Sequence, residues 1–516
     1  MRYLNIILAS AVLFPATAMA QNEIDALRYS QVTGAATARS LGLGGAGGSY
    51  GGDFSSLSIN PAGIGIYRSS EIMVTPILRF NNMTGNYLGT TSSDDNTKMT
   101  LGNFGAVFTT ANRGKNYQKS AWKAFSFGVG YNRVADFNSH GYYEGTNSVS
   151  SMTEGFAADA KVNGVGVDFV PPFGYFGYEG YLIDTGYNSI PYENIIKKGG
   201  SLNQSKQWKS KGGINEWAFS VGGNYMEKLM LGATMGITSY KYDRTQTYYE
   251  GDATGNTNND FQEMYYDEDL STTGIGINFK LGAIYVVNDY FRIGGAFHSP
   301  TWSSFSDVSS YNMDSYTEGY KASLGAIDKD PHTNVQPIDQ SNNTIIYQYD
   351  YSLRTPWRGV LSATAFMGKY GFITADYEYA AYNSMRYSFT NNYDYERIVN
   401  NAIKDTYKGT HNFRLGIEGK MDNFSARAGF AYYSSPYKNA DYFAGDRMDL
   451  SAGVGGRFGK FFVDLTYVHS IQKNAEFLYP NITASNDQLG IRQTPVNLAD
   501  LKYGNNLVAL TMGVKF

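Results

Sequence analysis

Apolar residues along this chain recur at every second position and rarely form continuous runs. In the last ten residues, Val508, Leu510, Met512, Val514 and Phe516 fall on one face of an extended segment, with Ala509, Thr511, Gly513 and Lys515 on the other. Phe413, Leu415 and Ile417 oppose Asn412, Arg414, Gly416 and Glu418, and Phe424, Ala426, Ala428 and Phe430 oppose Arg427. Met448, Leu450, Ala452 and Val454 likewise oppose Asp449, and Arg457 shares the Asp449 face. Phe461, Val463, Leu465 and Tyr467 oppose Asp464, and Ile373, Ala375 and Tyr377 oppose Asp376 and Glu378. Period two of this kind predicts about fourteen strands, near 70–82, 99–111, 120–138, 213–226, 229–250, 262–288, 289–303, 345–368, 370–391, 409–421, 422–434, 446–459, 460–472 and 504–516.

The connections between these strands alternate in length. Met226 to Lys228, Val287 to Asp289, Gly368-Lys369, Met421 to Asn423 and Gly459-Lys460 are tight. The intervening segments 139–212, 304–344, 391–408 and 473–503 are long. Tight turns at one rim and long loops at the other belong to a transmembrane antiparallel β-barrel with its short turns in the periplasm. A charge facing lipid at mid-membrane costs about 2–4 kcal/mol for Arg or Lys, so the charged faces above point into the lumen. There they either pair across strands as interior packing or form a polar track for a permeant.

The ends of the chain fit export to a bacterial outer membrane. Arg2, an apolar run from Tyr3 to Phe14 and the small-x-small Ala18-Met19-Ala20 read as a signal peptide (1–20) cleaved after Ala20. The final strand ending on Phe516 suits recognition by barrel-assembly machinery. Beyond the leader no apolar run approaches the roughly 20 residues of a membrane helix. The mean hydropathy of −0.35 is what an alternating wall yields. The 44 tyrosines suit interfacial girdles, and the 58 glycines suit backbone passing close to backbone.

Several chemistries recede. With no cysteine there is no lipid anchor, disulfide or thiolate metal site, and a net charge of −4 offers nothing to nucleic acid. The five histidines, His140, His298, His332, His411 and His469, sit in no Ser/His/Asp pattern. No catalytic residue, metal ligand or cofactor is therefore assigned. Gly42, Gly44 and Gly47 match G-x-G-x-x-G, but without a βαβ context the match is chance.

Residues 21–69 do not read as wall. They carry Ser40-Leu-Gly-Leu-Gly-Gly-Ala-Gly-Gly48 and Asn60-Pro-Ala-Gly63. With Arg414-Leu-Gly-Ile-Glu418, Arg427-Ala-Gly-Phe-Ala-Tyr432 and Ser451-Ala-Gly-Val-Gly455, these resemble the long-chain fatty-acid transporter family of outer membranes, the FadL/TodX type. The resemblance implies an all-β fold: a barrel (70–516) of fourteen strands holding an N-terminal hatch (21–69) in its lumen. It also implies passive uptake of hydrophobic small molecules such as long-chain fatty acids, by loop capture, hatch gating and lateral release. On that basis Asn60, Pro61, Ala62 and Gly63 become structural gating residues, and the third strand near Arg133 to Asn138 becomes the place for a lateral gap. The apolar run in the first long loop offers Phe169, Phe173, Tyr175, Phe176, Tyr178, Tyr181 and Leu182 either as a capture groove or as a folded cap burying its own rings. The expected partners are a hydrophobic ligand, outer-membrane lipid and lipopolysaccharide. The alternative function is a non-specific or structural porin-like barrel.

Overall fold

The computed structural model describes residues 22–32, 36–112, 114–168, 170–184, 192–196, 200–256, 259–318, 332–338, 344–390, 392–439, 443–479 and 497–516. The leader and its cleavage site lie outside these residues. Fourteen antiparallel strands form the wall. They are β1 (Glu71–Tyr87), β2 (Thr90–Ala111), β3 (Trp122–Asp136, resuming as Ser139–Asn147), β4 (Leu202–Tyr225), β5 (Leu229–Asp252), β6 (Glu263–Val286) and β7 (Phe291–His298, resuming as Trp302–Tyr316). Next come β8 (Tyr347–Arg354, resuming as Arg358–Phe366), β9 (Gly371–Ala381, resuming as Arg386–Phe389), β10 (Gly409–Met421), β11 (Phe424–Tyr433), β12 (Ala444–Phe458), β13 (Phe461–Phe477) and β14 (Leu498–Lys515). The wall closes where β1 pairs with β14, from Glu71↔Lys515 to Asn86↔Asp500. Phe516 and Ser70 complete that seam by exchanging two backbone hydrogen bonds of 3.0 Å. The breaks in β7 and β8 fall at Pro300 and Pro356, which have no N–H to give the ladder.

Facing follows what each side of the wall meets, lipid outside and the plugged lumen inside. Along β5, Leu231, Ala233, Met235 and Ile237 point outward, followed on the same face by Ser239, Lys241 and Asp243. The apolar belt therefore covers less than half of a 24-residue strand, and the rest of the wall stands clear of the membrane. Aromatic rings border the belt on both sides: Phe291, Phe424, Phe458 and Phe461 near the turn rim, and Trp217, Trp302 and Trp357 on the loop side.

Strands β1 and β2 run further than the sequence pattern indicates. Residues 83–98 carry no apolar alternation because they lie beyond the belt, yet they pair in register up to Tyr87↔Thr90. The first loop-rim connection is consequently a turn at Leu88-Gly89. Strand β7 similarly extends to Tyr316, where a loop from 304 is expected.

Inside the barrel lie α1 (Glu23–Arg28), α2 (Ala38–Gly42), α3 (Ser56–Ile59) and a 3-10 turn, Pro61–Ile66. A short helix, α4 (Gly114–Lys119), follows β2 on the turn rim. At the loop rim, α5 (Met152–Asn163) and α6 (Phe173–Glu179) form a cap, and α7 (Tyr393–Thr406) packs against α1.

Candidate functional site

Charged groups of the lumen anchor the plug to the wall. Arg39 of α2 donates from Nε and Nη2 to the two oxygens of Glu418, at 2.8 and 3.0 Å. Arg427, directly opposite Glu418 in the β10–β11 ladder, donates to Glu418 at 2.7 Å and to Asp464 at 2.6 Å. Burial opposes the positive charge on Arg39, but the attraction of and hydrogen bond to Glu418 outweigh it, and the guanidinium is held above its ordinary pKa. A second anchor is Asp376, whose carboxylate accepts the Gly47 and Gly48 N–H groups at 3.0 Å. Of the two readings of the lumenal charges, these contacts match paired interior packing.

Wall glycines set the fit of the plug. Asn60 donates from Nδ2 to the carbonyls of Gly48 (2.6 Å) and Ala283 (3.2 Å), and its Oδ1 accepts from Ala62 N at 3.1 Å. Asn60 thereby caps the 3-10 turn that Pro61 begins, with φ preset by the pyrrolidine ring. This knot lies on Gly232 and Gly282, which are partners in the β5–β6 ladder. A Cβ on Gly282 would come within 1.9 Å of Asn60 Oδ1, and one on Gly232 within 2.3 Å of the Pro61 carbonyl carbon. The partners Gly416 and Gly429 receive Leu43 and Gly44 in the same way, with a Cβ on Gly429 only 2.1 Å from Gly44 N. Gly44 thus belongs to a backbone-to-wall contact, consistent with a chance match to the nucleotide motif.

At the loop rim the cap is held by Glu250 of β5, which accepts from Met152 N at 2.9 Å and from Ser151 Oγ at 2.5 Å. Phe173, Phe176 and Leu182 are buried here, with Phe156, Tyr266 and Met313 in the same cluster. Tyr175 is half-buried against it, Tyr178 and Tyr181 are exposed, and Phe169 lies outside the described residues. Beneath the cap, Tyr29 of the plug stacks on Phe305 at 5.0 Å in an aromatic lining that includes Tyr240, Tyr351 and Tyr387. Tyr387 and Tyr407 donate to the backbone carbonyls of Asn22 and Glu23, at 3.0 and 3.1 Å.

The wall is not uniformly sealed. The β2–β3 ladder runs from Ala111↔Ala124 only to Asn103↔Asn132. Above that rung β3 shifts register against β4 between Arg133 and Ala135, breaks at Phe137-Asn138 and resumes paired with β4 alone. The resumed segment turns across the inner face of β1, where Asn81 donates to Asn138 O at 3.0 Å and Tyr143 lies 5.8 Å from Tyr87. On the β2 side of the break, Met99 and Leu101 remain outward and exposed.

No family model and no curated protein matches this sequence. Among solved structures, a FadL homologue of Pseudomonas aeruginosa superposes with a TM-score of 0.54 at 14% identity, covering 93% of this chain and 98% of that one. The toluene transporter TodX of P. putida gives 0.50 at 11% identity, over 94% and 99%. The chain has the fold of the FadL/TodX-type transporters. Within that FadL-type fold, Asn60 to Gly63 form the knot seated on Gly232 and Gly282, while the loop run from Phe173 to Leu182 forms the cap, so the two sets of site residues from the sequence do not meet. The wall glycines and the Asn103/Asn132 rung escape a reading by sequence, because only the cross-strand register brings them together. The histidines are dispersed: His298 is buried against Ile59 O at 2.9 Å, His332 pairs with Asp314 and His411 with Tyr377.

Proposed function

We propose that this protein is a passive outer-membrane channel for hydrophobic small molecules, long-chain fatty acids among them, with release through the side of the barrel. The observation that carries this reading is the break in the β2–β3 ladder beside the outward apolar residues Met99 and Leu101. A membrane barrel closes its ladders because unpaired backbone in hydrocarbon costs several kcal/mol per group. An interruption bordered by apolar side chains, above a plugged bore, supports a path from the lumen to lipid. Apolar solutes need such a path because an aqueous pore offers them no favourable surface. In this reading the cap and the aromatic lining around Tyr29 receive the ligand, and the hatch, held through Arg39, Asp376 and Asn60, gates its passage.

The plug disfavours the porin-like alternative, since anchored backbone crosses the bore that a porin leaves to water. Two measurements test the proposal. Mass spectrometry of gently extracted protein is expected to show co-purified fatty acids or other apolar compounds, and liposome swelling is expected to show no rapid entry of small sugars. A ligand-free protein that admits sugars quickly would overturn the proposal.

A further inference from the structure

The last rung of the β2–β3 ladder, immediately below the break, joins two asparagines, Asn103 and Asn132. Both side chains are buried, at 0% and 1% exposure. Neither Nδ2 nor Oδ1 of Asn103 has a hydrogen-bond partner among the described residues, and neither does Oδ1 of Asn132. The Asn132 Nδ2 is held by the plug, donating to Ser58 Oγ at 3.1 Å. A buried polar group left unmet forfeits its hydration with nothing in return, so three of them on one rung need an explanation. Ladder strength is not one, since Val or Leu at these inward positions would keep every backbone bond.

The two residues directly across the ladders from these amides are satisfied without them. Glu216, the cross-strand partner of Asn132, is paired with Lys280 at 2.6 Å and accepts from Asn278 at 2.9 Å. Thr75, opposite Asn103 in the β1–β2 ladder, bonds Thr511 at 2.7 Å. The rung therefore presents uncharged donors and acceptors, at the point where the lumen meets the break in the wall.

We infer that Asn103 and Asn132 form a head-group site at the lateral exit, taking an uncharged polar group that both donates and accepts: a hydroxyl, a carboxamide or a protonated carboxyl. This rests on the lateral-release reading and deepens it by naming the ligand class as amphiphiles with a neutral head. A molecule leaving sideways puts its tail into lipid first, past Leu101 and Met99, and its head is the last part to lose water. An amide pair on the final rung replaces that water. Movement of the plug that carries Ser58 away from Asn132 would free the fourth amide atom, which couples the site to the hatch.

The test compares equilibrium binding of 1-dodecanol and dodecane by the detergent-purified mature protein and by Asn103→Leu/Asn132→Leu, a near-isosteric change. Heat-modifiable migration confirms that the variant barrel is folded. The single variant Asn103→Leu, which spares the Ser58 contact, is carried alongside. The wild type is expected to bind the alcohol at least tenfold more tightly than the alkane. In both variants that ratio should fall to within about threefold, with alkane affinity unchanged. A wild type without the preference, or variants that retain it, would overturn the head-group site while leaving hydrophobic transport intact. Failure of either protein to bind alkane or alcohol would sink the transport reading itself.

Discussion

Replacing Arg39 with Met removes both hydrogen bonds from the plug to Glu418 and keeps the length of the side chain. Breaking a buried pair costs about 3–5 kcal/mol when the partner is left uncompensated. Glu418 is not left so, because Arg427 stays at 2.7 Å and Lys420 at 3.3 Å. The lost charge-assisted bonds then set the scale, and about 2–3 kcal/mol of plug anchoring is a fair figure. At 1.4 kcal/mol per factor of ten, the plug-displaced population rises roughly 30- to 140-fold. The wall ladders are untouched, so the barrel should keep its heat-modifiable mobility. The assay is conductance in planar bilayers. The wild type should stay near baseline, and Arg39→Met should show frequent openings. Arg39→Lys should fall between them, since an ammonium keeps the charge but loses the bidentate geometry. A silent Arg39→Met channel, or one in which the barrel unfolds, would refute the claim that this contact holds the plug shut.

Three further outcomes are expected. Gly282→Val places side-chain atoms where Asn60 Oδ1 lies, 1.9 Å from an ideal Cβ, so the plug knot must shift; protease sensitivity of residues 36–68 should rise while the wall stays protected. Asp159 in α5 accepts from Gly174 N at 2.7 Å, and burial raises its pKa above the ordinary carboxylate value. Between the unfolded and the folded pKa the unfolded chain holds fewer protons, so the stability of the cap falls as pH rises through that window and levels off above it. Hydrogen exchange of α5 and α6, measured upward in pH from the ordinary carboxylate range, should follow that slope, and Asp159→Asn should flatten it. Phe516→Ala keeps the backbone bonds to Ser70 but removes the terminal ring, so heat-modifiable barrel should accumulate several-fold more slowly in a membrane-assembly assay if that ring is read during insertion.

The strand count and facing were legible because lipid and lumen impose opposite demands on alternate side chains. Arg414, Glu418, Arg427 and Asp464 could be assigned inward on that ground alone. The upper halves of β1 and β2 were not legible, since Thr90 to Asn96 rise above the belt and lipid no longer demands apolar residues on their outward face. The Asn60-Pro61 signal marked structural gating residues by resemblance, but the seat of that segment on Gly232 and Gly282 depends on register. A one-residue slip would present their neighbours to the lumen in their place. Phe173, Phe176 and Leu182 read as capture groove or cap with equal force, because composition does not distinguish a surface that holds a ligand from one that holds its own loop. The structure buries these three, and neither arrangement names a ligand.

The most direct test of lateral release uses the absence of cysteine from the chain. Leu101→Cys lies on the edge of the break, and Leu361→Cys lies outward on the opposite wall; each is labelled with a bulky maleimide before uptake of a radiolabelled long-chain fatty acid is measured in cells that depend on this protein. Labelled Leu101→Cys should lose most uptake while labelled Leu361→Cys keeps it. Equal uptake in the two would contradict an exit through the side of the barrel.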